Sequence, residues 1–84
     1  MKIEITATIR GVTTYLGEFE FPAVPRQGDE VTMMERTGGG TWEPVRVIRT
    51  SYTVQSVCWG LDRDERDRYA EVFMNVREIN REEV

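Results

Sequence analysis

Phe21-Pro22-Ala23-Val24-Pro25-Arg26-Gln27-Gly28-Asp29-Glu30-Val31 is the stretch on which the fold turns. Pro22 and Pro25 stop the extended run before them, because proline brings no N–H to a ladder. Pro25 and Gly28 then frame a tight reversal. Proline presets φ for the first half of a turn, and glycine supplies the φ > 0 that other residues resist. Asp29-Glu30-Val31 launches a new alternating run. The stretch therefore separates an N-terminal hairpin from the remainder of a small β-rich domain.

Upstream, residues 2–9 alternate cleanly. Ile3, Ile5, Ala7 and Ile9 share one face, and Lys2, Glu4, Thr6 and Thr8 share the other. This is the pattern of a strand buried on one side. Arg10-Gly11 loosens the chain, and residues 14–21 resume as a second strand. There Tyr15, Gly17, Phe19 and Phe21 have one parity while Glu18 and Glu20 face water. Gly17 inside the run points to a bulge or a close backbone approach. The short connection requires an antiparallel pairing.

Downstream, residues 30–35 form a third strand with Val31 and Met33 inward, followed by a glycine-rich connection, Thr37-Gly38-Gly39-Gly40-Thr41. No Lys-Ser or Lys-Thr follows these glycines and no βαβ unit surrounds them, so a hairpin tip is the better reading than a phosphate loop. Residues 45–59 are rich in β-branched and aromatic side chains. Val45 and Val47, then Tyr52 and Val54, then Val57 and Trp59 hold successive parities. Two phase changes imply a bulge or bend, or two strands joined around Arg49-Thr50-Ser51. Trp59, at the end of this run beside Cys58, is expected in the core. Residues 62–68 are a charged loop. Residues 69–79 match helical and strand spacing almost equally. A sheet that needs a closing partner favours a strand over 69–77, with a short C-terminal helix as the alternative and 80–84 as a frayed tail.

Eighty-four residues make one domain with a small core, since folding at this size buries roughly 60–65% of the unfolded surface. The expected fold is all-β: a small, SH3-like, five-stranded, partly open antiparallel barrel over residues 1–84. Apolar residues make up 39% and charged residues 31%, a globular balance with no run near the ~20 apolar residues of a membrane span. Met1-Lys2-Ile3-Glu4-Ile5 has no apolar core of a signal peptide, and the lone Cys58 fits a reducing compartment. The expectation is a cytoplasmic protein without membrane contact.

Pro25-Arg26-Gln27-Gly28-Asp29-Glu30-Val31, followed by Tyr52-Thr53-Val54-Gln55-Ser56-Val57-Cys58-Trp59, resembles a group of small uncharacterised bacterial and phage β-barrel proteins. Their pattern is a Pro-x-x-Gly-Asp-x-Val turn, an alternating strand ending in Trp, and a closing strand. The resemblance covers residues 21–76 and implies an SH3-like barrel. It brings no reaction, ligand or functional residue. The stretch 35–50 is longer than the pattern requires, and acids flank the turn where apolar residues are usual.

The chemical inventory is short. There is no histidine, the commonest general base and metal ligand. Ser51, Ser56 and Cys58 have no evident base beside them, and Cys58 between Val57 and Trp59 reads as a buried, inert thiol. Asp62 to Asp67 lacks the glycine and late glutamate of a calcium loop. No catalytic residue, metal site or cofactor is expected, and the chain does not read as an enzyme. Net charge is −4, and ten of eleven bases are arginine. Between Pro44 and Leu61 stand Arg46 and Arg49 and no acid. A half-buried strand pair explains that composition most simply. The functional alternative is a neutral-to-basic contact stripe formed by Trp42, Arg46, Arg49 and Tyr52.

Two functions fit these features. One is a protein-interaction module that docks a protein partner through an edge strand or aromatic rim, or pairs with itself as a homo-oligomer through an edge strand. A phage or mobile-element accessory protein, or an inhibitor whose acidic loops imitate phosphate, belongs to this class. The other is a barrel binding single-stranded nucleic acid on Trp42 and Tyr52 beside the two arginines. Surplus negative charge opposes nucleic acid, so the protein partner is the preferred reading.

Overall fold

The computed structural model describes residues 1–61 and 69–84. Five strands account for most of them: β1 (Lys2–Ile9), β2 (Val12–Glu20), β3 (Glu30–Thr37), β4 (Arg46–Leu61) and β5 (Tyr69–Glu83). No helix occurs among the described residues, so the ambiguous C-terminal segment resolves as a strand. The expected frayed tail is corrected too. β5 continues to Glu83, because Asn80, Arg81, Glu82 and Glu83 pair with Ser51, Thr50, Arg49 and Ile48. The charged loop compared above with a calcium site lies outside the described residues.

The five strands form one strongly curled sheet, a small open half-barrel in the order β2-β1-β5-β4-β3. Three pairs are antiparallel, but β1 and β5 run parallel, which corrects the expectation of an entirely antiparallel barrel. The cause is the 21–29 connection. It carries the chain from one edge of the sheet to the other, so the β3-β4-β5 meander returns with its last strand in the direction of β1.

That connection ends in two linked hydrogen-bonded devices. Asp29 N–H donates to Arg26 O at 3.0 Å, and Arg26 N–H donates to Asp29 Oδ2 at 2.8 Å, closing a turn over residues 26–29. Gly28 N–H then donates to Val54 O, and Val54 N–H to Asp29 O, both at 2.8 Å. Two residues thus oppose one, a bulge whose first position needs a left-handed glycine. Gly28 has φ +92°. Nothing lies within 4 Å of where a Cβ would sit, so a substitution would strain the backbone and clash with nothing. Gly28→Val is expected to cost about 1–2 kcal/mol, read as a lower urea midpoint with an unchanged m-value; an unshifted midpoint would contradict the turn.

The core lies on the concave face. Ile3, Ile5 and Ala7 stand opposite Val72, Met74 and Val76 across the parallel pair, and all six are buried with Tyr52 and Val54. Phe21 and Val24 of the connection, together with Leu16, Val31, Met33 and Val57, pack against them. Two of the four register shifts in the sheet, counted among the described residues, redirect side chains of the sequence-predicted core. In β2 the register shifts at Leu16, so Gly17 and Phe19 oppose Ile5 and Ile3 while Tyr15 opposes Thr6. Tyr15 therefore leaves the inward set the alternation assigned to it and is 59% exposed. In β4 a shift at Gln55 turns Val57 inward, opposite Met74. This is the second phase change of the sequence. The first coincides with an irregularity on the β5 side only: β3 and β4 pair without a break from Thr37 and Arg46 to Glu30 and Thr53, while the β4-β5 register shifts between Ser51 and Tyr52. Trp59, opposite Val72 at the end of the curl, is 48% exposed, and Cys58 is exposed on the outer face opposite Phe73. Neither is the buried residue expected: Cys58 lies on the face opposite Val57, and Trp59 lies beyond Val57, the last β4 residue packed on the core.

Candidate interaction surface

β1 pairs with β5 only as far as Thr8 and Arg77. Beyond that, the ends of β3, β4 and β5 continue as a three-stranded arm, with no strand among the described residues on the far side of β5. The alternation of a strand sends neighbouring side chains to opposite faces. Arg46 shares a face with Ile48 and Thr50, whereas Arg49 shares the other with Val47; both belong to the unbroken β3-β4 ladder. The radius of gyration is 15.5 Å and the longest dimension 53 Å, where a compact chain of this length has a radius of about 12 Å.

This arm separates the four residues the sequence grouped. Trp42 stands in the turn where Glu43 N–H donates to Gly40 O, and it is 93% exposed. Arg46 and Arg49 sit on opposite faces of β4, three positions apart. Tyr52 is in the core and only 7% exposed, so its place in the contact stripe is corrected. Burial of the phenol is the leading cause that raises its pKa, with the Glu78 carboxylate adding to it and a hydrogen bond with Thr50 opposing it.

The stripe is not left basic either. Extension of β5 brings two glutamates to it. Arg46 Nε and Nη2 donate to Glu83 Oε1 and Oε2 at 2.7 and 3.0 Å. Arg49 Nε donates to Glu82 Oε1 at 2.9 Å, and its Nη2 bonds the same oxygen. The two-pronged bond and charge of Arg46 hold Glu83 below the usual carboxylate range, and Glu83 raises Arg46 in return. All four groups are about half exposed, so these pairs neutralise the surface more than they stabilise the fold.

What the sequence reading left unnamed is the edge of β3. The hydrogen bond from Val54 N–H to Asp29 O fixes the phase of the β3-β4 ladder. Glu30 and Thr53 form a pair without mutual bonds, and Val31 and Tyr52 the next pair with them. The backbone groups of Glu30, Thr32, Met34 and Arg36 consequently face away from β4, and none of them bonds another described backbone group. An open groove of about 580 Å³ runs beside this edge, with Phe21, Val24 and Pro25 on one side and Glu30, Val31 and Thr32 on the other. Among the described residues, no group of three or more histidine, cysteine or acidic side chains is placed to hold a metal ion. No family model, curated protein or solved structure matches the chain.

Proposed function

We propose that the protein is a non-enzymatic protein-interaction module that receives a partner's strand on the β3 edge. One observation carries this reading: β3 is an eight-residue edge strand paired regularly on one side and, among the described residues, unpaired on the other. Such an edge is a template for a further strand. The surface supports it. The chain exposes 6692 Å², where a compact monomer of 9.8 kDa exposes roughly 5,200 Å². The surplus on one chain exceeds the roughly 800 Å² that a standard interface removes from each partner. The fold is read as an SH3-like barrel on the strength of the turn that opens β3 and the curl of the sheet.

Nucleic acid is the weaker reading, because Arg46 and Arg49 already hold Glu83 and Glu82 and Tyr52 offers no face for stacking. A labelled single-stranded oligonucleotide is expected to show no binding even at low salt. Salt-sensitive binding near micromolar affinity, with a slope flattened by Arg46→Ala and Arg49→Ala together, would overturn the proposal. Partner capture from lysate is expected to survive Arg49→Ala and to be lost in Thr32→Pro. Trp42→Ala tests whether the exposed indole beside the edge serves as a further anchor.

A further inference from the structure

We propose that the strand added to β3 is the β3 of a second copy of this chain, paired antiparallel about a twofold axis through Met33; the inference rests on the reading of β3 as a docking edge. Among the described residues three edges of the sheet are open, and they differ in what protects them. β2 carries the bulge at Leu16 and the acids Glu18 and Glu20. The outer edge of β5 beyond Arg77 is interrupted at Ile79, where the β4-β5 register shifts between Ser51 and Tyr52, and its Glu82 and Glu83 are already held by Arg49 and Arg46. β3 has no bulge, no proline and no lysine. Bulges and prolines are among the devices that keep edges apart; β3 lacks both, and the two charges on its Glu30–Arg36 face balance.

Its charges instead complement themselves. When the strand meets its own copy with Met33 opposite Met33, Glu30 falls opposite Arg36 of the second copy, and Arg36 opposite its Glu30. Thr32 falls opposite Met34, and Val31 opposite Glu35, which is exposed and keeps its carboxylate in water. Backbone phase agrees. The groups that face outward belong to Glu30, Thr32, Met34 and Arg36, and this register places each outward-facing residue against another outward-facing one. Met33, whose backbone bonds β4, falls on the axis as a pair without mutual bonds. Shifting the register by two positions in either direction separates Glu30 from Arg36. Cross-strand pairs of opposite charge favour a register and like pairs oppose it, so the charge pattern selects this one. The product is a ten-stranded sheet with the two arms joined at its centre, and the pairing draws on the surplus surface of the chain.

Crosslinking of purified protein tests the register. In a Cys58→Ser background, Met33→Cys is expected to give a disulfide-linked dimer on mild oxidation, since facing residues without mutual bonds approach within disulfide reach. Met34→Cys, which has Thr32 opposite, is expected to crosslink poorly. Sedimentation of the unmodified chain is expected to show a concentration-dependent dimer. Glu30→Arg or Arg36→Glu alone weakens it roughly two- to thirtyfold through the two symmetric pairs, and the double swap restores it. Thr32→Pro removes an outward N–H without touching the β3-β4 ladder, so it is expected to give a folded monomer, checked by a urea midpoint equal to that of the unmodified chain at concentrations low enough for both to be monomeric. A chain that stays monomeric throughout a micromolar-to-millimolar range, or one that crosslinks better through Met34→Cys, overturns the self-pairing. If that monomer still captures a partner in a Thr32-dependent way, the docking edge stands and only the identity of its occupant fails.

Discussion

Tyr52→Ala is expected to cost about 3–5 kcal/mol, the range of a core aromatic cut back to a methyl group, and so to remove a large part of the stability of a domain this size. Tyr52 is 7% exposed, faces Val31 in β3 and Glu78 in β5, and belongs to the single buried cluster. Its removal opens the point where the half-barrel and the arm meet. Urea denaturation followed by tryptophan emission is the measurement, with Tyr52→Phe keeping most of the stability. A Tyr52→Ala protein with an unshifted midpoint would return the residue to the surface, where the sequence placed it. The phenol also gives a pH dependence of known sign. Its folded pKa is raised, chiefly by burial and next by Glu78, so the neutral form is the one the fold favours. The associated stability is complete below the ordinary tyrosine pKa of about 10 and is lost as pH rises above it. Tyr52→Phe should flatten that alkaline decline.

Ile5→Ala is the second large effect, about 2–5 kcal/mol from lost burial and the cavity left behind. Ile5 is fully buried, with Met74 opposite it in β5 and Gly17 opposite it in β2. Since Gly17 has no side chain to move into the space, collapse on that side depends on Leu16 and Phe19. The expected value therefore lies in the upper half of the range. Val12→Ala, at a position 64% exposed on the same hairpin, is the control and should change the midpoint little. Equal losses at the two positions would contradict the assignment of the concave face as the core.

Much of this architecture is legible in the sequence. The alternation of Ile3, Ile5 and Ala7 identifies the buried face of β1, and the Pro25 to Val31 stretch announces both the turn and the left-handed Gly28. The phase change before Val57 marks a bulge. Tyr15 and Trp59 are misplaced because parity says which residues share a face only between bulges, and burial ends where the sheet runs past its core; Cys58 lies on the face opposite Val57, which alternation alone could have shown. The parallel pair is invisible because nothing local in residues 21–29 says which edge the connection reaches. The contact stripe fails differently. Arg46 and Arg49, three apart on a strand, must face opposite ways, which alternation alone could have shown. Their glutamate partners could not have been found without knowing that β5 reaches Glu83.

The parallel pair also sets the order in which the chain can fold. β1 completes its core only by meeting β5, the first strand waiting for the last. A chain emerging from the ribosome can close the β1-β2 hairpin early, but Ile3, Ile5 and Ala7 have no cover until nearly the whole domain has been made. Joining strands so distant along the chain meets a high loop-closure cost before any contact offsets it, which slows folding. During that wait the bare hairpin is the species most open to misassociation. The meander of β3, β4 and β5, whose contacts are all between neighbours in sequence, is free to form first and serve as the template on which the hairpin docks.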